Sequence, residues 1–166
     1  MNLHNMPSID PVCLTKLAAS MASHQLTYRN VTYHFCSAHC QERFSEAPAF
    51  FTAPRRLDDQ HPIPKHHRLR FSPVPQNIRE TAAARLREVR GVGQVLVGEG
   101  YADIDYDLSL VSLNQLEEAM SDAGLPLKAW PHSLTRSLWR FLEHNELENM
   151  ASQPSPCCSK APLRSR

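Results

Sequence analysis

The stretch FCSAHC, from Phe35 to Cys40, places two cysteines four residues apart at the start of a predicted helix, where they lie on one face. A third cysteine, Cys13 in the stretch DPVC, precedes them by 22 intervening residues. Thiolates are preferred ligands of both Zn²⁺ and Cu(I), and the partial positive charge of a helix N-terminus lowers thiol pKa values. The spacing therefore predicts a metal site formed by Cys13, Cys36 and Cys40.

The composition narrows the class of protein. The chain has 166 residues, enough for one or two small domains, and its formal net charge of +1 gives no reason to expect nucleic acid as a partner. The N-terminus lacks the pattern of a signal peptide, and no apolar run is long enough to span a membrane. We therefore expect a cytoplasmic location, where the five cysteines are reduced and are better suited to metal than to disulfides.

The sequence divides into segments of different pattern, and the fold class expected for them together is α+β. The predicted divisions are a metal-binding domain at 9–53, a linker rich in proline and charge at 54–67, a second domain at 68–130, an amphipathic helix at 131–150, and a disordered tail at 151–166.

The first domain combines a hairpin with a short helix. LTYRNVTYHF reads as two strands around a turn at Arg29–Asn30, and Ser37 is a suitable N-cap for the helix AHCQERFSEA. The fourth ligand of the metal stays open at this point. His39, His34 and His24 are all near enough in sequence to serve, and a three-thiolate Cu(I) site with an open position fits equally well.

The second domain alternates strands and helices in the order βαββαβ, the ferredoxin-like arrangement. Asn77 is the expected N-cap of the first helix, and Ser112 caps the second, which Gly124 ends. The predicted elements, in order, are HRLRF, NIRETAAARLREV, GQVLV, YADIDYDLSL, SLNQLEEAMSDAGL and LKAW.

The C-terminal part adds a helix and a pair of thiols. Leu134, Leu138, Phe141 and Leu142 recur at helical spacing, so the helix is expected to cover a hydrophobic surface of this chain or of a partner. In the tail, the adjacent Cys157 and Cys158 could bind a soft metal or pass it on, could be oxidised or lipidated, or could be incidental.

The first domain resembles the YHS domains, a TRASH-like group of small metal-binding modules. The resemblance rests on DPVC, on the tyrosines Tyr28 and Tyr33, and on HFCSAHCQERF with a following proline. It implies a treble-clef-like fold with Cys13, Cys36 and Cys40 as ligands, in proteins of heavy-metal export, sensing and trafficking. The family often has Gly-Met after DPVC; Leu14-Thr15 stands here, so a methionine ligand from that position is absent.

The second domain resembles the heavy-metal-associated (HMA) domains of copper chaperones and copper-transporting P-type ATPases. The resembling residues are Ala82, Leu86, Val89, Gly91-Val92, QVLV, IDYD and EAMSDAGL. Pro75 and Ile78 stand where the family has its Cys-x-x-Cys, and neither can bind metal. The resemblance thus implies the fold and a role in protein docking, with a purely structural spacer as the alternative.

No set of residues typical of a catalytic site is apparent, so we expect a protein that is not an enzyme. The main hypothesis is a Cu(I)-binding protein that delivers metal to, or regulates, a metal-exporting P-type ATPase; another metal-trafficking protein is the alternative partner. The alternative is an adaptor protein with a structural Zn²⁺ site, and a metal sensor is a weaker third. Coordination number separates the first two, because a closed four-ligand site indicates structure and an open three-ligand site favours transfer.

Overall fold

The computed structural model describes residues 8–18, 24–53 and 62–152. The first module, residues 8–53, consists of two small hairpins followed by two short helices. Its elements are β1 (Ser8–Ile9), β2 (Lys16–Leu17), β3 (His24–Tyr28), β4 (Val31–Phe35), α1 (Ala38–Glu46) and α2 (Pro48–Thr52). The pairing of β1 with β2 was not anticipated, because each strand is only two residues long.

The predicted hairpin at Arg29–Asn30 is confirmed. Strands β3 and β4 are antiparallel, with His24 opposite Phe35 and Tyr28 opposite Val31. Both turn residues have positive φ, 49° for Arg29 and 64° for Asn30, the combination that matches the twist of two strands joined by two residues.

A cluster of aromatic rings forms the core of the first module. Phe35 and Phe44 are fully buried, and Tyr33 packs against Phe44 with ring centroids 4.9 Å apart. Phe50 and Phe51 from α2 complete the cluster. The aromatic core holds β4 against α1, and these two elements flank the cysteines of FCSAHC.

The second module begins at residue 62 and contains a three-stranded antiparallel sheet in the order β5-β7-β6. Its elements are β5 (Pro64–Arg70), α3 (Gln76–Glu88), β6 (Val92–Val97), β7 (Tyr101–Asp107) and α4 (Leu113–Asp122). The first strand starts at Pro64, inside the segment predicted as linker, because Pro64 to His67 pair in register with β7. The predicted fourth strand, LKAW, is reduced to a single bridge between Phe71 and Leu127.

The two predicted helix caps of this module had different outcomes. Ser112 caps α4 and forms a reciprocal capping box with Gln115, as its residue type favours. Asn77 does not cap α3, since the N-cap lies two residues earlier, at Pro75, which makes no side-chain cap bond. Proline at 75 fixes an extended backbone just before the helix, and this sets the start of α3.

The C-terminal helix α5 (His132–Ser152) leaves its predicted apolar face exposed, so that face does not cover a surface among the described residues of this chain, and its covering of a partner stays a prediction. Leu134, Leu138, Phe141 and Leu142 are each more than half exposed, whereas Glu143 and Leu147 are buried. Glu143 accepts hydrogen bonds from the Tyr106 hydroxyl and, at 3.0 Å, from the Leu113 N–H, so a polar contact anchors the helix. Within the described ranges, no helix is both long and apolar enough to cross a membrane.

A buried arginine joins the two modules. The Arg43 side chain on α1 is 1% exposed, and its Nη2 donates to the Leu108 carbonyl at 2.5 Å. Nη1 donates to Glu46 at 3.0 Å, and the other oxygen of Glu46 accepts from the Ser112 hydroxyl at 3.0 Å. The loop between β7 and α4, residues 108–112, is therefore held against the helix that carries Cys40.

A tight turn at Gly91 packs against this loop within the second module. Gly91 has φ +92°, and an added Cβ would lie 2.6 Å from the Cβ of Leu110. We expect Gly91→Ala to lower the free energy of unfolding by about 2 kcal/mol or more, because the strained backbone and the close contact both oppose it.

The matched control is Gly93→Ala in β6, where an added Cβ would come no nearer than 3.4 Å to any atom other than those of its chain neighbours. That change is expected to alter the free energy by less than about 1 kcal/mol. Chemical denaturation of both variants measures the difference, and equal midpoints would contradict the role of Gly91.

Candidate metal centre

The three predicted cysteines meet at one point of the first module. Cys36 Sγ lies 3.6 Å from Cys13 Sγ and 3.6 Å from Cys40 Sγ. Thiolates bound tetrahedrally to Zn²⁺ at about 2.3 Å have sulfurs about 3.8 Å apart, and a trigonal arrangement needs slightly more. The three sulfurs, all within 4.8 Å of one another, therefore fit a shared metal ion after a small adjustment of the cluster.

Local structure explains how each cysteine reaches the cluster. Cys40 lies in the first turn of α1, and its N–H donates to the N-cap oxygen of Ser37 at 3.3 Å. Cys36 lies just before that cap and not within the helix, which corrects the expectation that both cysteines share a helix face. Cys13 comes from the turn between β1 and β2, where Leu14 has φ 57°.

A residue that the sequence analysis did not single out, Asp10, arranges this cluster. Its Oδ1 accepts from the N–H groups of Val12 at 2.8 Å and Cys13 at 3.2 Å, and its Oδ2 accepts from the Cys36 N–H at 2.8 Å. Burial opposes ionisation of the Asp10 carboxyl, but these donors outweigh it, so its pKa lies below the ordinary value. A buried anion thus connects the two segments that supply the ligands.

Asp10 also lies close enough to be counted with the thiols. Potential ligand atoms of Asp10, Cys13, Cys36 and Cys40 are all within 4.8 Å of one another. Both of its oxygens already accept backbone N–H groups, so positioning the cysteines is the role that its contacts define. The DPVC motif contained this signal, because aspartate commonly accepts hydrogen bonds from the N–H groups that follow it in a turn.

The histidines considered as fourth ligands have different positions. His39 Nε2 donates to the Leu110 carbonyl at 3.1 Å, so this ring faces the second module. His24 and His34 lie in β3 and β4, and in the described part of the chain neither belongs to the group of neighbouring ligand atoms. Cys157 and Cys158 lie outside the described residues, as does the predicted disordered tail from 153 onward. The first two residues of that predicted tail, 151 and 152, instead form the end of α5.

Exposure differs among the three thiols. Cys40 is fully buried among the aromatic rings of the core, whereas Cys13 and Cys36 are partly exposed. One ligand is therefore fixed in the interior, and two lie where another molecule can reach them.

Hydrogen bonding within the cluster separates the thiol pKa values. The pKa of Cys13 is lowered to about 5, because the nearby Cys40 thiol stabilises its thiolate. The same interaction, together with burial, raises the pKa of Cys40, and burial also raises the pKa of Cys36. Because metal binding requires thiolates, a metal ion that bonds to all three sulfurs displaces the protons that the cluster holds.

Replacement of Asp10 tests its positioning role. Asp10→Ala leaves three N–H groups without their acceptor, and an unpaired buried donor costs about 1–3 kcal/mol. We expect the first module to lose about 2–4 kcal/mol of stability and to bind metal more weakly. Asp10→Asn should lose less stability and less metal affinity than Asp10→Ala, because the amide retains one acceptor oxygen.

Glu42→Gln is the matched control, since Glu42 lies on the exposed side of α1. Thermal unfolding and metal titration of the three variants provide the measurements. If Asp10→Ala behaves like Glu42→Gln in both, the carboxylate does not organise the site.

Comparison with known proteins agrees with this geometry. Among curated proteins, none matches the chain. Residues 8–55 match the family model of the YHS domain, and the match includes Asp10 and all three cysteines of the cluster. The first module is therefore a YHS domain, and its cluster is a site that could bind metal.

Proposed function

We propose that the protein is a cytoplasmic Cu(I) carrier that binds the ion through Cys13, Cys36 and Cys40 and transfers it to a metal-exporting P-type ATPase, or regulates that ATPase. The observation that carries the proposal is the set of three sulfurs, with Cys36 Sγ 3.6 Å from each of the other two, of which one thiol is buried and two are partly exposed. The proposed role has no catalytic step.

The chemistry of the donor set favours Cu(I) over a harder ion. Three soft thiolates satisfy Cu(I), which accepts fewer than four ligands, whereas a structural Zn²⁺ site has four. Asp10 would have to give up or share hydrogen bonds to the Val12, Cys13 or Cys36 N–H in order to become a fourth ligand. A three-coordinate ion retains an open position for an incoming ligand.

Thiolate exchange is the proposed route of transfer. A cysteine thiolate of the partner forms a bond to the metal, and the bond to Cys13 or Cys36 then breaks, releasing that sulfur as a thiolate. Cys40, which is buried, leaves last. The oxidation state of copper does not change, so the steps need no electron donor or acceptor.

The second module is proposed as the part that docks with the partner. Its resemblance to HMA domains supports this role, although Pro75 and Ile78 replace the cysteines of that family. Its contacts with α1, including the hydrogen bond from Gln115 Nε2 to the His39 carbonyl at 3.1 Å, give it a fixed position near the metal centre. A partner held by this module would therefore lie close to the exposed thiols.

A structural Zn²⁺ site in an adaptor protein is the second candidate. The proximity of an Asp10 oxygen, within 4.8 Å of the sulfurs, favours it, since that oxygen could complete a four-ligand set. In this case the metal would only stabilise a small domain.

Cu(I) binding by the anaerobically purified full chain tests the proposal. We expect one Cu(I) per chain in competition with a chromophoric chelator, and affinity that rises with pH because binding displaces protons. Serine at any one of Cys13, Cys36 or Cys40 should weaken binding by at least about a hundredfold, or roughly 3 kcal/mol. The loaded protein should pass its ion within seconds to a protein bearing an exposed Cys-x-x-Cys.

The variant Cys157→Ser/Cys158→Ser is the matched control, with thiols removed outside the proposed site. It should bind Cu(I) as the unaltered chain does. If the protein instead holds one Zn²⁺ that resists exchange with Cu(I), and its removal unfolds the first module, the carrier proposal fails and the structural site stands.

A further inference from the structure

A cation from the second module lies at the thiol cluster of the first. Arg90 follows α3, and its Nη1 donates to Cys36 Sγ at 3.6 Å. Its Nη2 donates to Thr15 Oγ1 at 3.5 Å, and that oxygen is 3.2 Å from Cys13 Sγ. The guanidinium thus contacts the part of the cluster where the two partly exposed thiols lie.

The position of Arg90 depends on how the modules dock. The next residue, Gly91, makes the tight turn against Leu110, and the Gly91 carbonyl accepts from the Asp107 N–H at 2.8 Å. Leu110 in turn accepts the hydrogen bond from His39 on α1. The Arg90 turn and the 108–112 loop therefore form one surface, and this surface meets α1 and the cluster together.

A metal-loaded centre with three thiolates is negatively charged, so the nearby guanidinium of Arg90 can stabilise it. Three thiolates around Cu(I) carry a net charge of −2, and around Zn²⁺ a net charge of −1. The Asp10 carboxylate adds a further negative charge within 4.8 Å of the sulfurs. A guanidinium in contact with Cys36 stabilises such an anionic centre, although its exposure to solvent reduces the effect.

We propose that Arg90 is a positioning residue that couples metal occupancy of the YHS domain to packing of the second module against that domain. The loaded, anionic centre attracts Arg90 and tightens the contact between the modules. By reciprocity, packing of the second module against the YHS domain raises the affinity for metal. The factor equals that by which bound metal strengthens this packing. A partner that draws the second module away would lower this affinity and so favour release of the ion.

This inference rests on the proposed metal binding, and Arg90 variants of the full chain test it. We expect Arg90→Ala to weaken Cu(I) binding about three- to tenfold at low salt, with the difference shrinking in 0.5 M salt as screening increases. Arg90→Lys, which keeps the charge, should recover most of the affinity. The control is Arg85→Ala, which removes the same charge from an exposed position on α3. The Arg85 side chain bonds to the Asp122 carbonyl and not to the cluster, so this change should leave the Cu(I) affinity unchanged.

Hydrogen–deuterium exchange provides a readout independent of affinity. In the unaltered chain, Cu(I) should slow exchange of the amides of the 108–112 loop, and in Arg90→Ala this protection should be lost. Exchange in β7 of the metal-free variants should match that of the unaltered chain, which shows that the second module is folded.

The outcomes separate this inference from the proposed function. If the unaltered chain binds Cu(I) through its three cysteines but Arg90→Ala matches Arg85→Ala in affinity and exchange, the proposed function stands and the coupling is overturned. A loss in Arg90→Ala that salt does not reduce and lysine does not restore overturns it as well. Failure of the unaltered chain to bind Cu(I) is a failure of the proposed function, and is seen before any variant is made.

Discussion

The hydrogen bonds of the Asp10 carboxylate are the interaction on which the candidate metal centre depends. Its two oxygens accept hydrogen bonds from three backbone N–H groups. Two of these belong to the turn that holds Cys13, and the third belongs to Cys36, which lies 26 residues after Asp10. Because a buried anion is costly without such partners, the turn and the end of β4 are held together. These bonds hold the segments that carry Cys13 and Cys36 together.

The different exposure of the three thiols determines how the site could hold and release a metal ion. Cys40 is buried against the aromatic core and Ser37 fixes its backbone, so one ligand cannot move far. Cys13 and Cys36 are partly exposed, and Arg90 of the second module reaches them. A site with one fixed and two accessible thiols combines retention of a soft ion with access for a competing thiolate, and this combination is what a carrier needs.

The second module forms part of the surroundings of the candidate metal centre. The buried guanidinium of Arg43 and the hydrogen bonds of His39 and Gln115 hold the 108–112 loop against α1. Buried polar contacts of this kind are strongly orientation-dependent, since a displaced partner leaves an unpaired group. The relative placement of the modules is therefore defined by specific bonds and not only by apolar contact.

Sequence patterns predicted the parts of the fold that local chemistry determines. The turn at Arg29–Asn30, the caps at Ser37 and Ser112 and the meeting of three cysteines follow from residue type and spacing. Long-range contacts were not accessible in this way: the bond from Asp10 to Cys36, the reach of Arg90 to the cluster, and the fourth strand that shortened to one bridge all depend on tertiary packing. The apolar pattern of α5 marked a real helix, but burial of Glu143 with Tyr106 decided which face packs.

The number and type of atoms bound to the metal test the central claim most directly. X-ray absorption at the copper edge of the Cu(I)-loaded full chain measures them without assuming a function. The account predicts a shell of three sulfurs, contributed by Cys13, Cys36 and Cys40, with no oxygen or nitrogen ligand. A four-coordinate shell that includes an oxygen or nitrogen, or a shell that keeps three sulfurs when Cys13 is replaced by serine, would contradict it.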